Sequence, residues 1–224
     1  GIMVNSAVHL ALFPEASRLY GSGTRSELHQ LARLWERLAV LLLMVMLVVG
    51  SLGPPVLRLL TAPSFHSGVA VIPWLALSAF LYGLAGLGNL PFFLERRMNV
   101  IAIYWGLVTL VCLLANSLLI PIQGAVGAAM VQCITYAILA ILTLRGGMTV
   151  LALPLAWWRL ALVVVMASAA LLLMNQIELS SPLLDLLCKG LALAPLCVGF
   201  WMIGSATSLV ALQHQLRQFS AMLE

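Results

Sequence analysis

Long apolar runs separated by short polar breaks make up most of this chain. A helix needs about 20 mostly apolar residues to cross a bilayer. Residues 1–13 are apolar too and are interpreted as the end of a further run. The pattern predicts an all-α fold, a polytopic transmembrane bundle that forms a single domain over residues 1–224. The six full-length runs cover residues 38–60, 70–94, 100–120, 125–144, 155–174 and 183–204.

The longest polar break covers residues 14–37. Thr24 and Glu27 have the spacing of a capping box, which favours a helix start. Leucines then recur at positions 28, 31, 34 and 38, the spacing of one helix face. We therefore expect an amphipathic connector that lies at the membrane interface and leads into the next helix.

Composition supports a membrane protein and excludes several other classes. The chain is 63% hydrophobic and 8% charged, and its mean hydropathy is +1.11. These values exclude a disordered chain and disfavour a water-soluble domain. The basic residues are scattered over several junctions, so no nucleic-acid partner is predicted. The four cysteines and four histidines lack metal-ligand spacing, and no catalytic or phosphate-loop motif appears; we predict no cofactor, no metal and no enzyme activity.

Basic residues mark one side of the predicted bundle. The opposite side has only Arg58 and Lys189 nearby, both inside apolar runs. Cytoplasmic loops are enriched in Lys and Arg, so the arginine-rich side is predicted to be cytoplasmic, together with the tail at 205–224. Trp35, Trp105, Trp157, Trp158 and Trp201 fall near that side and Trp74 near the other, which predicts an aromatic belt. The arginine-rich side carries Arg18, Arg25, Arg33, Arg37, Arg96, Arg97, Arg145, Arg159 and Arg217.

The most informative stretch, residues 116–129, reads N-S-L-L-I-P-I-Q-G-A-V-G-A-A. Pro121 lacks a backbone donor and Gly124 accepts turn conformations, so a tight turn at 121–124 is predicted to join two helices. The small residues that follow would let helices approach closely. The stretch resembles a hairpin of bacterial polysaccharide-biosynthesis exporters, the lipid-linked oligosaccharide flippases of the multidrug/oligosaccharidyl-lipid/polysaccharide superfamily. The segments 11–20 and 60–67 resemble further elements of that family, although 60–67 lacks the usual glycine before Phe65.

The resemblance implies that residues 1–224 are the second helix bundle of a larger transporter in the bacterial inner membrane. Such a transporter moves a polyprenyl-diphosphate-linked oligosaccharide (an O-antigen, capsule or exopolysaccharide unit) between leaflets by alternating access. Implied partners are this substrate, membrane lipids, a preceding helix bundle, a polysaccharide polymerase and chain-length proteins. The alternatives are a multidrug or cation exporter of the same superfamily, a scaffold without transport activity, and a membrane glycosyl- or acyltransferase.

Polar residues within the apolar runs are the candidate site residues. Arg58 follows Gly53-Pro54-Pro55, which is expected to interrupt its helix; its guanidinium either reaches the outer headgroups or faces an anionic substrate.

Arg96 and Arg97 either fix topology and contact anionic lipid or capture the substrate diphosphate. Asn89 and Asn116 are further substrate candidates, although hydrogen bonds between helices would also explain them. Asp185 and Lys189, four residues apart, are predicted to form an ion pair, and they are the candidates for ion coupling.

Overall fold

The computed structural model describes residues 17, 18, 20, 25–151, 164–167, 169–171, 173, 174 and 181–199. Residues 1–13, most of the connector before Arg25 and the tail at 205–224 lie outside the described residues. All regular structure in the described part is helical, which confirms the all-α class. The elements are α1 (Arg25–Leu60), a 3-10 helix (Pro63–Val71), α2 (Ile72–Leu94), α3 (Met98–Val150) and α4 (Pro182–Gly199).

Four described helices are long and apolar enough to cross a membrane. Their outward surfaces carry large apolar side chains that no other part of the described chain covers, such as Leu118 at 66% exposure. Polar side chains, in contrast, occur among the buried residues of α2, α3 and α4. This distribution is the reverse of that of a water-soluble helix and indicates a membrane protein.

The second half of the expected connector is the beginning of α1. This helix runs without a break for 36 residues. Leu31 is fully buried in the main core, a cluster of apolar side chains from α1, α2 and α4 together with Ala167, Leu171 and Met174, and Leu28 and Leu34 pack against it. The leucine stripe therefore covers other helices rather than lying on a membrane surface, since packing against the bundle removes more apolar surface from contact with water.

Pro54 and Pro55 do not interrupt α1, contrary to expectation. Both rings are buried, and the helix continues for a further turn to Leu60. Each proline removes one i→i−4 backbone hydrogen bond, so the two together cost the helix two bonds near its end. Packing around the rings then holds the end of α1 in helical form.

Helices α1 and α2 are antiparallel, with the 3-10 helix between them. A Cβ added at Gly53 would lie 2.6 Å from the Ile72 side chain, and one at Gly50 would lie 3.3 Å from Ala76. Farther along, the Trp35 indole donates a hydrogen bond of 3.1 Å to the Leu87 carbonyl oxygen. Trp35 is 2% exposed, so its predicted place in an aromatic belt is wrong. A tryptophan ring buried in the core needs a partner for its N–H, and this carbonyl supplies one.

Helix α3 folds back on itself at Gly124, as the sequence predicts. Gly124 has φ 56° and ψ −132°, a combination that interrupts the helix. A Cβ added at Gly146 would lie 2.7 Å from the Tyr104 hydroxyl oxygen, and Val108 packs with Leu139 and Ala140. These contacts pair the first arm (98–123) with the second arm (125–150) in antiparallel fashion. The predicted turn at 121–124 thus reduces to one residue, while Pro121 remains helical.

Gly124→Ala should weaken this hairpin. The backbone angles at Gly124 disfavour any residue with a Cβ, although open space surrounds the position. We expect a loss of about 1–3 kcal/mol in unfolding free energy, the usual cost of such a conformation. The measurement is unfolding of the purified protein in detergent. Gly106→Ala is the matched control: its added methyl meets no atom within 4 Å and should stabilise the first arm. Equal stability of the two variants would contradict the strain at Gly124.

The second arm of α3 packs closely against α2 and runs parallel to it. A Cβ at Gly88 would lie 2.7 Å from Thr143 Oγ1 and 2.9 Å from the Leu144 backbone nitrogen. A Cβ at Gly147 would lie 2.7 Å from the Gly88 carbonyl oxygen. Helix α2 is continuous through its glycines, and Gly88 permits a backbone-to-backbone contact.

Candidate functional site

The helix pairings place five arginines at one end of the bundle. Trp35 contacts Leu87, so the neighbouring Arg33 and Arg37 are level with the last turns of α2. Gly88 contacts Leu144, which places Arg145 at a similar level. Arg96 and Arg97 form the turn between α2 and α3. We call these five residues the arginine end. Arg58 is in the last turn of α1, at the opposite end.

In the described part of the chain, the arginine end has more basic than acidic side chains. Within the described part of the chain, none of its five arginines forms an ion pair with a carboxylate. Two carboxylates adjoin these arginines in sequence: Glu36 precedes Arg37, and Glu95 precedes Arg96 and accepts a hydrogen bond from the Tyr20 hydroxyl. That hydrogen bond raises the pKa of Tyr20, so the phenol keeps its proton and the contact persists at neutral pH. Guanidinium groups without protein partners are available to phosphate oxygens.

Helix α2 ends at a turn in which Arg96 takes a backbone conformation that glycine usually adopts. Arg96 has φ 56°, the left-handed region. The Arg96 N–H donates to the Phe93 carbonyl at 3.2 Å, and the Arg97 N–H donates to the Phe92 carbonyl at 2.8 Å. These two bonds form a Schellman motif with arginine in place of glycine. Both arginine side chains are exposed as a result.

Asp185 and Lys189 form the predicted ion pair. Lys189 Nζ lies 2.9 Å from Asp185 Oδ2. Asp185 is 2% exposed and Lys189 is 6% exposed, so the pair is inside the bundle. It shares a helix face with Leu193, which belongs to the main core, whereas Leu187 and Leu191 on the other faces are exposed. Asp185 Oδ1 is buried without a hydrogen-bond partner among the described residues. The pair does not face open water, the condition that ion coupling would require.

The two asparagine candidates have different surroundings. Asn89 is 6% exposed, and its Oδ1 has no hydrogen-bond partner in the described structure. Asn116 is half-buried, and its Nδ2 donates to Cys112 Sγ at 3.3 Å within the same helix. Asn89 thus remains available to a donor that reaches the interior, while Asn116 already has a local partner.

Sequence reasoning missed an aromatic cluster between α2 and both arms of α3. The Tyr82 ring contacts Trp105 edge-on at a centroid distance of 5.9 Å and Tyr136 at 5.1 Å. All three rings are half-buried. Only the folding back of α3 brings Trp105 and Tyr136 together, so no local sequence pattern indicates this cluster. Aromatic pairs of this geometry stabilise helix contacts beyond the area that they bury.

The structure does not bring the candidate residues into one site. Arg58 and the pair Arg96–Arg97 lie at opposite ends of α2, whose 23 residues extend over about 35 Å. Asp185 and Lys189 are on α4, facing the main core. The arginine end, which combines the candidates Arg96 and Arg97 with three further arginines, is therefore the only place where several basic groups occur together in the described chain.

Comparison with known proteins adds no relative: the chain matches no family model, no curated protein and no solved structure. The likeness to polysaccharide exporters consequently rests on the residue pattern alone.

Proposed function

We propose that this chain is a helix bundle of a transporter that moves a polyprenyl-diphosphate-linked oligosaccharide across the bacterial inner membrane. The arginine end carries the proposal, because unpaired guanidiniums at one membrane face attract a lipid-borne diphosphate. The resemblance of residues 116–129 to the exporter hairpin supports it. In this proposal each arm of α3 crosses the bilayer separately, and the arginine end is cytoplasmic.

The proposed mechanism needs no covalent chemistry. The substrate headgroup would first bind at the arginine end, where Arg96 and Arg97 are exposed. Alternating access would then carry the headgroup through a polar path between this bundle and a second one, while the prenyl chain stays among the lipids. Such a path avoids placing charged phosphates in hydrocarbon, which is costly.

The charged residues of the described helices support a cation exporter less well than a transporter of an anionic substrate. It would need an acidic group free to bind the substrate. Asp185 is the one acidic residue inside a described apolar helix beyond α1, and Lys189 already neutralises it. A membrane transferase and a scaffold have no specific observation in their favour.

Deletion of the gene tests this proposal. We expect loss of one surface polysaccharide and accumulation of its lipid-linked precursor on the cytoplasmic face. Complementation with Arg96→Gln/Arg97→Gln should restore surface polysaccharide only partly, whereas Arg96→Lys/Arg97→Lys should restore more of it. Protein abundance in the membrane must be equal for the two variants. Normal polysaccharide in the deletion strain, with no precursor accumulation, would refute the proposed function.

A further inference from the structure

Arg145, at the arginine end, lies on the same outward face of α3 as three isoleucines. Ile134, Ile141 and Arg145 are all exposed and lie on one side of the second arm. Half-buried Ile138 lies between them, and seven- and four-residue spacings keep the set on one helix face. We call Ile134, Ile138, Ile141 and Arg145 the lipid stripe.

Apart from Ile138, which also packs against the cluster of Leu139 and Ala140, the lipid stripe faces away from the bundle interior. Thr143 and Gly147, on the opposite face of the same arm, contact α2 at Gly88. Leu139 and Ala140 are buried against the first arm and α2. A polar transport path between this bundle and a second one would not follow three isoleucines, because their side chains offer no partner to a charged headgroup. The exposed isoleucines instead suit the acyl chains of a surrounding bilayer.

The dimensions and chemistry of the stripe match one leaflet. From Ile134 to Arg145 the helix rises about 16 Å, close to half of the roughly 30 Å hydrocarbon thickness. An acyl chain along the isoleucines therefore brings its headgroup to the level of Arg145. That guanidinium has no carboxylate partner in the described structure, and it suits a phosphate better than a neutral headgroup.

We propose that the lipid stripe binds an anionic phospholipid, with the acyl chain on Ile134, Ile138 and Ile141 and the phosphate on Arg145. The neighbouring arginines at this end add a long-range attraction for negative headgroups. This site is separate from the proposed transport path and does not depend on the proposed function. Its ligand is a resident lipid of the leaflet, not the cargo.

Photocrosslinking tests the site in the complete protein, reconstituted in nanodiscs. The probe is phosphatidylglycerol with a photoactivatable group in one acyl chain, and crosslinked peptides are located by mass spectrometry. We expect enrichment of crosslinks on residues 134–141 over the exposed leucines of the first arm, which serve as the internal control. The same probe with a phosphatidylcholine headgroup should label both regions alike.

Arg145→Gln should lower the phosphatidylglycerol enrichment about fivefold, the effect of one basic side chain near an anionic surface. Arg145→Lys should keep most of it, and Arg58→Gln, the same charge change at the other end, should leave it unchanged. Because Arg145 is exposed, melting temperatures of the Arg145 variants should equal that of the wild type. Unchanged enrichment in Arg145→Gln would overturn the proposal. So would stronger competition by polyprenyl diphosphate than by unlabelled phosphatidylglycerol, since that result would assign the stripe to the cargo.

Discussion

Asp185→Asn is expected to lower the unfolding free energy by about 3–5 kcal/mol, the usual effect of removing one partner from a buried ion pair. Lys189 is 6% exposed, and the Asp185 carboxylate, 2.9 Å from its ammonium group, is its one ion-pair partner in the described structure. The variant would leave this charge buried without its counter-charge. Unfolding of the purified protein in mixed detergent gives the measurement.

The double variant Asp185→Leu/Lys189→Leu tests whether the two charges themselves stabilise the protein. Removing both charges also removes the desolvation penalty, so its stability should equal or exceed that of the wild type. Equal stability of Asp185→Asn and the wild type would show that Lys189 reaches water or another partner, contrary to its burial. A large loss in the double variant would show that the pair stabilises α4 beyond what apolar packing supplies.

Gly88→Ala is the second substitution with a large expected effect. Its Cβ would lie 2.7 Å from Thr143 Oγ1 and 2.9 Å from the Leu144 backbone nitrogen. A backbone atom cannot rotate away as a side chain can, so α2 and the second arm must separate. Overpacking of this kind costs about 1–3 kcal/mol, and Gly88→Val should cost more.

The contrast with Gly106→Ala makes this test specific. Both substitutions add one methyl group to a helical glycine, but the added methyl at Gly106 meets no atom within 4 Å. Alanine usually stabilises an unobstructed helix position by about 0.5–1 kcal/mol. Opposite signs for the two variants would support the close contact of α2 with α3. Stabilisation by both would mean that Gly88 does not approach Thr143 and Leu144 in the folded protein.

Much of the helical framework could be predicted from the sequence. A run of about 20 apolar residues in a bilayer has few alternatives to a helix, because every backbone group must find its partner internally. The turn of α3 was also predictable, since Pro121 and Gly124 are the local signals for a break in an apolar helix. The structure confirms the turn and limits the non-helical backbone to Gly124.

Features that depend on distant contacts were not predictable. Trp35 lies at a position typical of an interfacial belt, but α2 supplies the Leu87 carbonyl that makes a buried site favourable. Gly88 and Gly147 are far apart in sequence, so no local pattern indicates that their backbones meet. The Schellman motif at the end of α2 has Arg96 at the position where glycine is usual, so the sequence gives no sign of it.

For the candidate site, one local contact was predictable from the sequence, but the grouping of distant residues was not. The i,i+4 spacing of Asp185 and Lys189 indicates their ion pair, and the pair is present. Convergence of Arg58, Asn89 and Arg96 on one substrate site has no such local basis, and the structure separates Arg58 from Arg96 by the length of α2. Grouping of the arginines depends on how α1, α2 and α3 align, which only tertiary packing decides.

Reconstituted transport is the most direct test of the proposed function. The complete protein would be placed in vesicles that carry a polyprenyl-diphosphate-linked oligosaccharide, and a glycosidase confined to the outside would report which leaflet holds the sugar. The proposal predicts that the sugar protected in protein-free vesicles becomes accessible over time, and more slowly with Arg96→Gln/Arg97→Gln. Protection equal to that in protein-free vesicles would contradict it.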